Sequence, residues 1–157
     1  MKQPIGAGIL LYDPRRDTVL LGMRSPKMKY YPAQWGIPGG RVEIGESPLD
    51  GALRELDEEF IGYAEINIFS DEAIRPLSPL LGSILGMHAV DIETPRGPWT
   101  YTTYVITVEL DEPLSVYPLT VEHIAARWVS LDEATSLKLM KPFADALPHL
   151  QQIARTA

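Results

Sequence analysis

Apolar residues dominate positions 5–12 and return over 18–23, separated by the polar stretch Asp13-Pro14-Arg15-Arg16-Asp17. The pattern predicts two strands joined by a turn. Between Arg24 and Gly45, proline and glycine break any period, which predicts a long loop holding one short strand near 35–37. Leu49, Leu53, Leu56 and Phe60 then recur at helical spacing, so a helix is expected over 48–60. A strand is expected at 64–69, while 70–83, with Pro76 and Pro79, has no readable period. Two β-rich segments, 84–93 and 99–110, joined through Thr94-Pro95-Arg96-Gly97-Pro98, predict a hairpin. A short strand at 125–129 follows. Ser130 and Glu133 form a capping-box pattern opening a short helix. Pro142 suits the first turn of a last helix running to about Arg155, with Pro148 as a break or kink inside it. With no repeat and no linker, strands mixed with two or three helices predict one domain over 1–157. Its class is α/β (α+β), a sandwich.

Composition narrows the function. The chain has 157 residues, 45% hydrophobic and 22% charged, which is globular and sets disorder and coiled coil aside. No apolar run approaches the roughly 20 residues of a membrane span. The first residues lack a signal peptide's cleavage pattern, so a cytoplasmic location is expected and no membrane partner. The absence of cysteine removes disulfides, thiolate metal sites and thiol nucleophiles. A net charge of −7 argues against a duplex nucleic-acid partner.

The chemistry concentrates in Gly39 to Gly62, GGRVEIGESPLDGALRELDEEFIG. Ser47 is placed to cap the helix, Pro48 suits its first turn, and Asp50 lies near the positive end of the dipole. At about 100° per residue, Glu55, Glu58 and Glu59 fall on one face, and Leu49, Leu53, Leu56 and Phe60 on another. Three carboxylates held together repel one another unless a counter-charge is present. Arg54 can pair with Glu46 or Glu58 and aim the others. Gly39 and Gly40 allow a close backbone approach. The ligand atoms on offer are hard oxygens, which suit Mg²⁺ and also Mn²⁺. A solvated acidic helix face is the plainer explanation of the same glutamates.

Gly40, five residues, Glu46, seven residues, then Arg54-Glu55-Leu56-Asp57-Glu58-Glu59 resembles the signature of the Nudix hydrolases, GX5EX7REUXEEXGU with U aliphatic. Every charged position matches. Ile61 stands where the last glycine belongs and Gly62 comes one residue late, which reads as a displaced helix C-cap. The segments Trp35-Gly36-Ile37-Pro38-Gly39-Gly40 and Arg127-Trp128-Val129-Ser130-Leu131-Asp132-Glu133 resemble the family's lead-in and its late strand and helix. The resemblance implies a Nudix-type α/β/α sandwich with a mixed central sheet. It also implies MutT-like, Mg²⁺-dependent hydrolysis of a nucleoside diphosphate-linked substrate: an NTP or dNTP, ADP-ribose or a nucleotide sugar.

By position, the resemblance makes Glu55, Glu58 and Glu59 metal-binding carboxylates, with Gly40 lending its backbone and Arg54 and Glu46 orienting them. Glu122, ahead of Arg127, resembles the family's additional acidic ligand and base, with Asp111 and Glu112 competing for that role. His123 beside it is a candidate phosphate contact. Arg24, Lys27 and Lys29, in a loop with Tyr30 and Tyr31, are candidates for holding phosphates and stacking a base. Trp99 and Tyr101 share one strand face and form a candidate base-stacking wall, with Tyr104 on the other face. Pro76 and Pro79 bracket the place where an ADP-ribose-type subgroup carries a proline. The resemblance is compatible with a homodimer. A non-catalytic nucleotide-sensing module is the alternative. Such modules typically lose the carboxylates kept here.

Overall fold

The structure is a computed structural model that describes residues 4–62 and 80–156. The strand expected at 64–69 and the prolines Pro76 and Pro79 lie outside the described residues. Two strands, β1 (Ile5–Asp13) and β2 (Thr18–Arg24), flank the predicted turn. Asp13 shapes that turn: its buried carboxylate accepts the Arg15 N–H at 3.0 Å and pairs with Arg16 Nη1 at 2.6 Å. Short strands β3 (Trp35–Gly36) and β4 (Gly39–Arg41) punctuate the glycine-rich loop. After helix α1 (Pro48–Leu56) come β5 (Ile84–Thr94), β6 (Gly97–Thr107) and β7 (His123–Ser130). A 3₁₀ turn (Glu133–Ser136) then leads to helix α2 (Lys141–Thr156).

The strands form one mixed sheet whose main path runs β3-β2-β1-β6-β5, with β4 on β1 and β7 on β2. β1 and β6 run parallel; the other pairings are antiparallel. Side chains alternate across the sheet, so its two faces carry separate cores. Ala7, Ile9, Leu11 and Leu20 pack with Leu53, Leu56 and Phe60 of the α1 segment. Leu10, Tyr12, Val19 and Leu21 pack with Phe143, Leu147 and Leu150 of α2. This is the expected α/β/α layering. Each fully buried Leu or Phe contributes roughly 1.5–3 kcal/mol.

β1 changes partners along its length, and this opens the sheet. Its end pairs with β2 through Tyr12–Val19 and Asp13–Thr18, whereas Gly6, Ala7 and Gly8 pair with Arg41, Gly40 and Gly39 of β4. The glycine loop is thereby held against the middle of the sheet.

Three expectations are corrected. Ser130 caps no helix: it ends β7 opposite Thr18, and the 3₁₀ turn starts after Asp132, which makes no side-chain cap. Pro148 does not break α2, because it sits on the exposed side while Phe143, Leu147, Leu150 and Ala154 bury the other. The hydrogen bond it cannot donate is lost where water replaces it. The hairpin turn is tighter than expected, since pairing continues to Thr94–Gly97 and leaves only Pro95 and Arg96 between the strands.

Candidate active site

The Ser47 side chain accepts the Asp50 N–H at 3.1 Å and fixes the start of α1. With Leu53, Leu56 and Phe60 anchored in the core, the polar face turns toward β4. Arg54 stands at its centre with its side chain only 12% exposed, so its charge must be met by protein. Its Nε and Nη2 clamp Glu46 at 2.8 and 3.0 Å, and its Nη1 reaches Glu55 at 3.1 Å and Glu58 at 3.3 Å. Nη2 also donates to the Arg41 carbonyl at 3.2 Å, which ties the helix to the glycine loop. These hydrogen bonds hold the Glu46 carboxyl below its ordinary range. Burial pushes Glu55 up, opposed by Arg54 and reinforced by Glu58 and Glu122.

Beyond Leu56 the chain widens into a π-helical turn (Asp57–Ile61), closed where the Gly62 N–H donates to the Asp57 carbonyl at 2.8 Å. A π turn holds one residue more than an α turn. The late glycine is absorbed there, and Gly62 at φ 75° still supplies the left-handed cap. The carbonyls of Glu59 and Phe60 then accept the N–H groups of Leu119 at 2.9 Å and Tyr117 at 3.1 Å. The loop that carries Glu122 is strapped to the helix that carries Glu59.

Glu59 is buried, and its Oε1 accepts the Gly39 N–H at 3.0 Å. Burial first, then the neighbouring charge of Glu55, pushes its carboxyl up to about 8, against the stabilising Gly39 contact. Glu122 is exposed, and its carbonyl accepts the Ser25 N–H at 2.7 Å. His123 lies under Phe60, with ring centroids 4.9 Å apart. Burial, helped by Arg24, lowers its pKa to about 4, so the ring is neutral at physiological pH. Ligand atoms of Glu59, Glu122 and His123 all lie within 4.8 Å of one another.

The candidate carboxylates therefore divide. Glu46, Glu55 and Glu58 gather round Arg54, and Glu59 meets Glu122 and His123. Glu55 joins the two sets: a Cβ on Gly40 would lie 2.7 Å from its Oε1, and its charge acts on Glu59. Of the competitors for Glu122, Asp111 is taken by Arg15 at 2.7 Å, and Glu112 is exposed and does not join the cluster. No local pattern marks a bare imidazole nitrogen at His123, because its surroundings are non-local.

A cleft of about 240 Å³ opens beside these groups. Trp99, Tyr101 and Thr103 of β6 line it, with His88, Val90 and Ile92 opposite them on β5. Arg24, Tyr30 and Tyr31 close one side, and Arg24 Nε donates to the Tyr30 carbonyl at 3.0 Å. Lys27 and Lys29 are exposed and do not line it; Tyr104 packs into the opposite core. The Tyr101 hydroxyl abuts Gly8 and Gly39, where a Cβ would lie 2.5 and 2.4 Å away. Burial raises its phenol above the ordinary range. Arg96, at the hairpin tip, approaches the Tyr30 ring at 5.9 Å, a contact that no local sequence pattern marks.

The α/β/α sandwich thus presents an arginine-ordered set of glutamates beside an aromatic cleft. The NUDIX domain profile matches residues 2–150, and the chain belongs to the Nudix family. It is 31% identical over 140 residues to a nucleoside triphosphate pyrophosphatase/Nudix hydrolase fusion protein of Bifidobacterium longum. That match covers 85% of this chain but only 25% of the relative, so the chain spans about a quarter of its length. A Nudix hydrolase of M. smegmatis, RenU, superposes with a TM-score of 0.66 at 25% identity, covering 96% of this chain and 86% of that one. An Ap4A hydrolase of C. elegans superposes at 0.70 with 19% identity over 98% and 99% of the two chains. Among the described residues, no helix is long and apolar enough to cross a membrane.

Proposed function

We propose that this chain is a divalent-cation-dependent hydrolase of a diphosphate bond in a nucleoside diphosphate-linked substrate, working in the cytoplasm. The observation that carries the reading is the excess of negative charge around Glu55, Glu59 and Glu122. Among the described residues Arg54 alone pairs with Glu46, Glu55 and Glu58, and burial together with the charges of Glu55 and Glu122 keeps Glu59 high in pKa. Hard carboxylate oxygens beside a glycine backbone suit Mg²⁺ or Mn²⁺. Glu55, Glu59 and Glu122 would hold the cation, and Glu58 would join from the Arg54 side. When bound, such a cation offsets the charge of the diphosphate and lowers the pKa of water.

The remaining work falls to the chain. Arg54 holds Glu55 and Glu58 in fixed positions, and Gly39 does the same for Glu59. Arg24, at the cleft wall, offers a cation to the phosphates. Glu122, strapped beside Glu59, takes a proton from the attacking water. A new P–O bond forms, the bridging P–O bond breaks, and the leaving phosphate keeps its electron pair. Trp99, Tyr101 and Tyr30 give a base apolar faces, and a cleft of about 240 Å³ suits one nucleoside-sized group.

The test is a product assay with Mg²⁺ across dNTPs, ADP-ribose, nucleotide sugars and dinucleoside polyphosphates, with Glu58→Gln alongside. A nucleotide product whose rate falls roughly 10²–10⁴-fold in the variant supports the reading. Ligand binding without turnover on any class would replace it with a nucleotide-sensing module.

A further inference from the structure

His123 has a polar atom that the reaction above does not use. Its side chain is 6% exposed, and its Nδ1 is buried with no hydrogen-bond partner among the described residues. The nearest carboxylate oxygen, Glu59 Oε2, is 3.6 Å away, too far for a hydrogen bond. The ring has little room to turn. Phe60 packs against it, and a Cβ on Gly22 would lie 3.1 Å from its Cδ2. Leaving such an atom bare costs about 1–3 kcal/mol. One ring nitrogen of His123 and one carboxylate oxygen each of Glu59 and Glu122 lie within 4.8 Å of one another, and Nδ1 is the nitrogen that approaches Glu59.

We propose that His123 Nδ1 is a metal ligand that joins Glu59 and Glu122 in a mixed nitrogen–oxygen site favouring Mn²⁺ and other first-row transition cations over Mg²⁺. The inference rests on the cation-dependent reading above and adds the donor that decides which cation is held. Mg²⁺ takes oxygen ligands and gains little from imidazole, whereas transition cations accept nitrogen readily. A buried donor on a clamped ring is already in place, so little is lost in ordering it.

The experiment is Mn²⁺ binding to the full chain followed by pulsed EPR. The native protein is expected to show ¹⁴N modulation on bound Mn²⁺ that converts to a ¹⁵N signal when its histidines are labelled. His123→Asn should abolish the signal and weaken Mn²⁺ binding by about tenfold or more, with Mg²⁺ binding changed less than about threefold. His88→Gln and His149→Gln should retain the signal. Isotope labelling of the native chain keeps the test decisive if His123→Asn folds poorly. Bound Mn²⁺ without nitrogen modulation overturns the ligand role, and intact Mg²⁺-dependent turnover in the same preparation leaves the hydrolase reading standing. Failure to bind any divalent cation overturns both.

Discussion

Glu59 makes its environment measurable in the cation-free protein. Its folded carboxyl ionises near 8 instead of near 4.5, so above the ordinary carboxylate range the folded state holds a proton that the unfolded state has lost. Stability must then fall as pH rises toward 8. His123 works in the opposite direction: its pKa falls from 6.5 to about 4, so its contribution is lost on acidification below 6.5. The two oppose each other in acid, and between about 6.5 and 8 His123 no longer offsets Glu59. Thermal melts in chelator are expected to show Tm decreasing over that window. Glu59→Gln should flatten the slope, and an unchanged slope would remove Glu59 as its cause. Gly40 offers a second test at this scale. Ala there places a Cβ 2.7 Å from Glu55 Oε1, a flexible side-chain end. Tm should move by no more than the equivalent of about 1 kcal/mol, while calorimetric Mg²⁺ affinity falls about tenfold.

At the level of elements, the π turn (Asp57–Ile61) turns a one-residue irregularity into a joint. It buries Phe60 and Ile61, ends at Gly62, and offers the carbonyls that hold the Glu122 loop. Gly62→Ala puts a side chain at φ 75° and a Cβ 3.0 Å from Leu119 Cδ1. The left-handed backbone costs about 1–2 kcal/mol. A lower Tm is expected, with faster amide exchange at Tyr117 and Leu119, whose N–H groups depend on that joint. Exchange unchanged at these two positions would show that the strap does not depend on the cap. The helix start and its two faces were legible in the sequence, because capping and 3.6-residue periodicity are local. The π turn was legible only as a displaced glycine, since widening a helix depends on what its last turn packs against. The failed capping box at Ser130 has the same origin: strand pairing with Thr18 claimed the residue first.

Across the whole molecule, the sheet brings the aromatic cleft to the carboxylates. The parallel β1–β6 register sets Tyr101 opposite Gly6 and places its hydroxyl at Gly39, one residue from Gly40. Under the proposed function, substrate grip and chemistry are expected to separate by mutation. Trp99→Ala should raise KM by about 5- to 100-fold, the worth of one base stack, with kcat kept within about threefold. A kcat loss with KM unchanged would assign Trp99 to support of the site instead. What the amino-acid order determined by itself was strands β1, β2, β3, β5, β6 and β7, the amphipathic α1, the spacing of Glu46, Arg54, Glu55, Glu58 and Glu59, and the shared face of Trp99 and Tyr101. Each follows from a repeat or spacing within one element. The tertiary structure alone decided that Glu122 and not Asp111 meets Glu59, and that Lys27 and Lys29 stay outside the cleft. It also decided that His123 turns a bare nitrogen toward the carboxylates. Those outcomes depend on strand register and on loop contacts between residues some sixty positions apart, which no local pattern encodes.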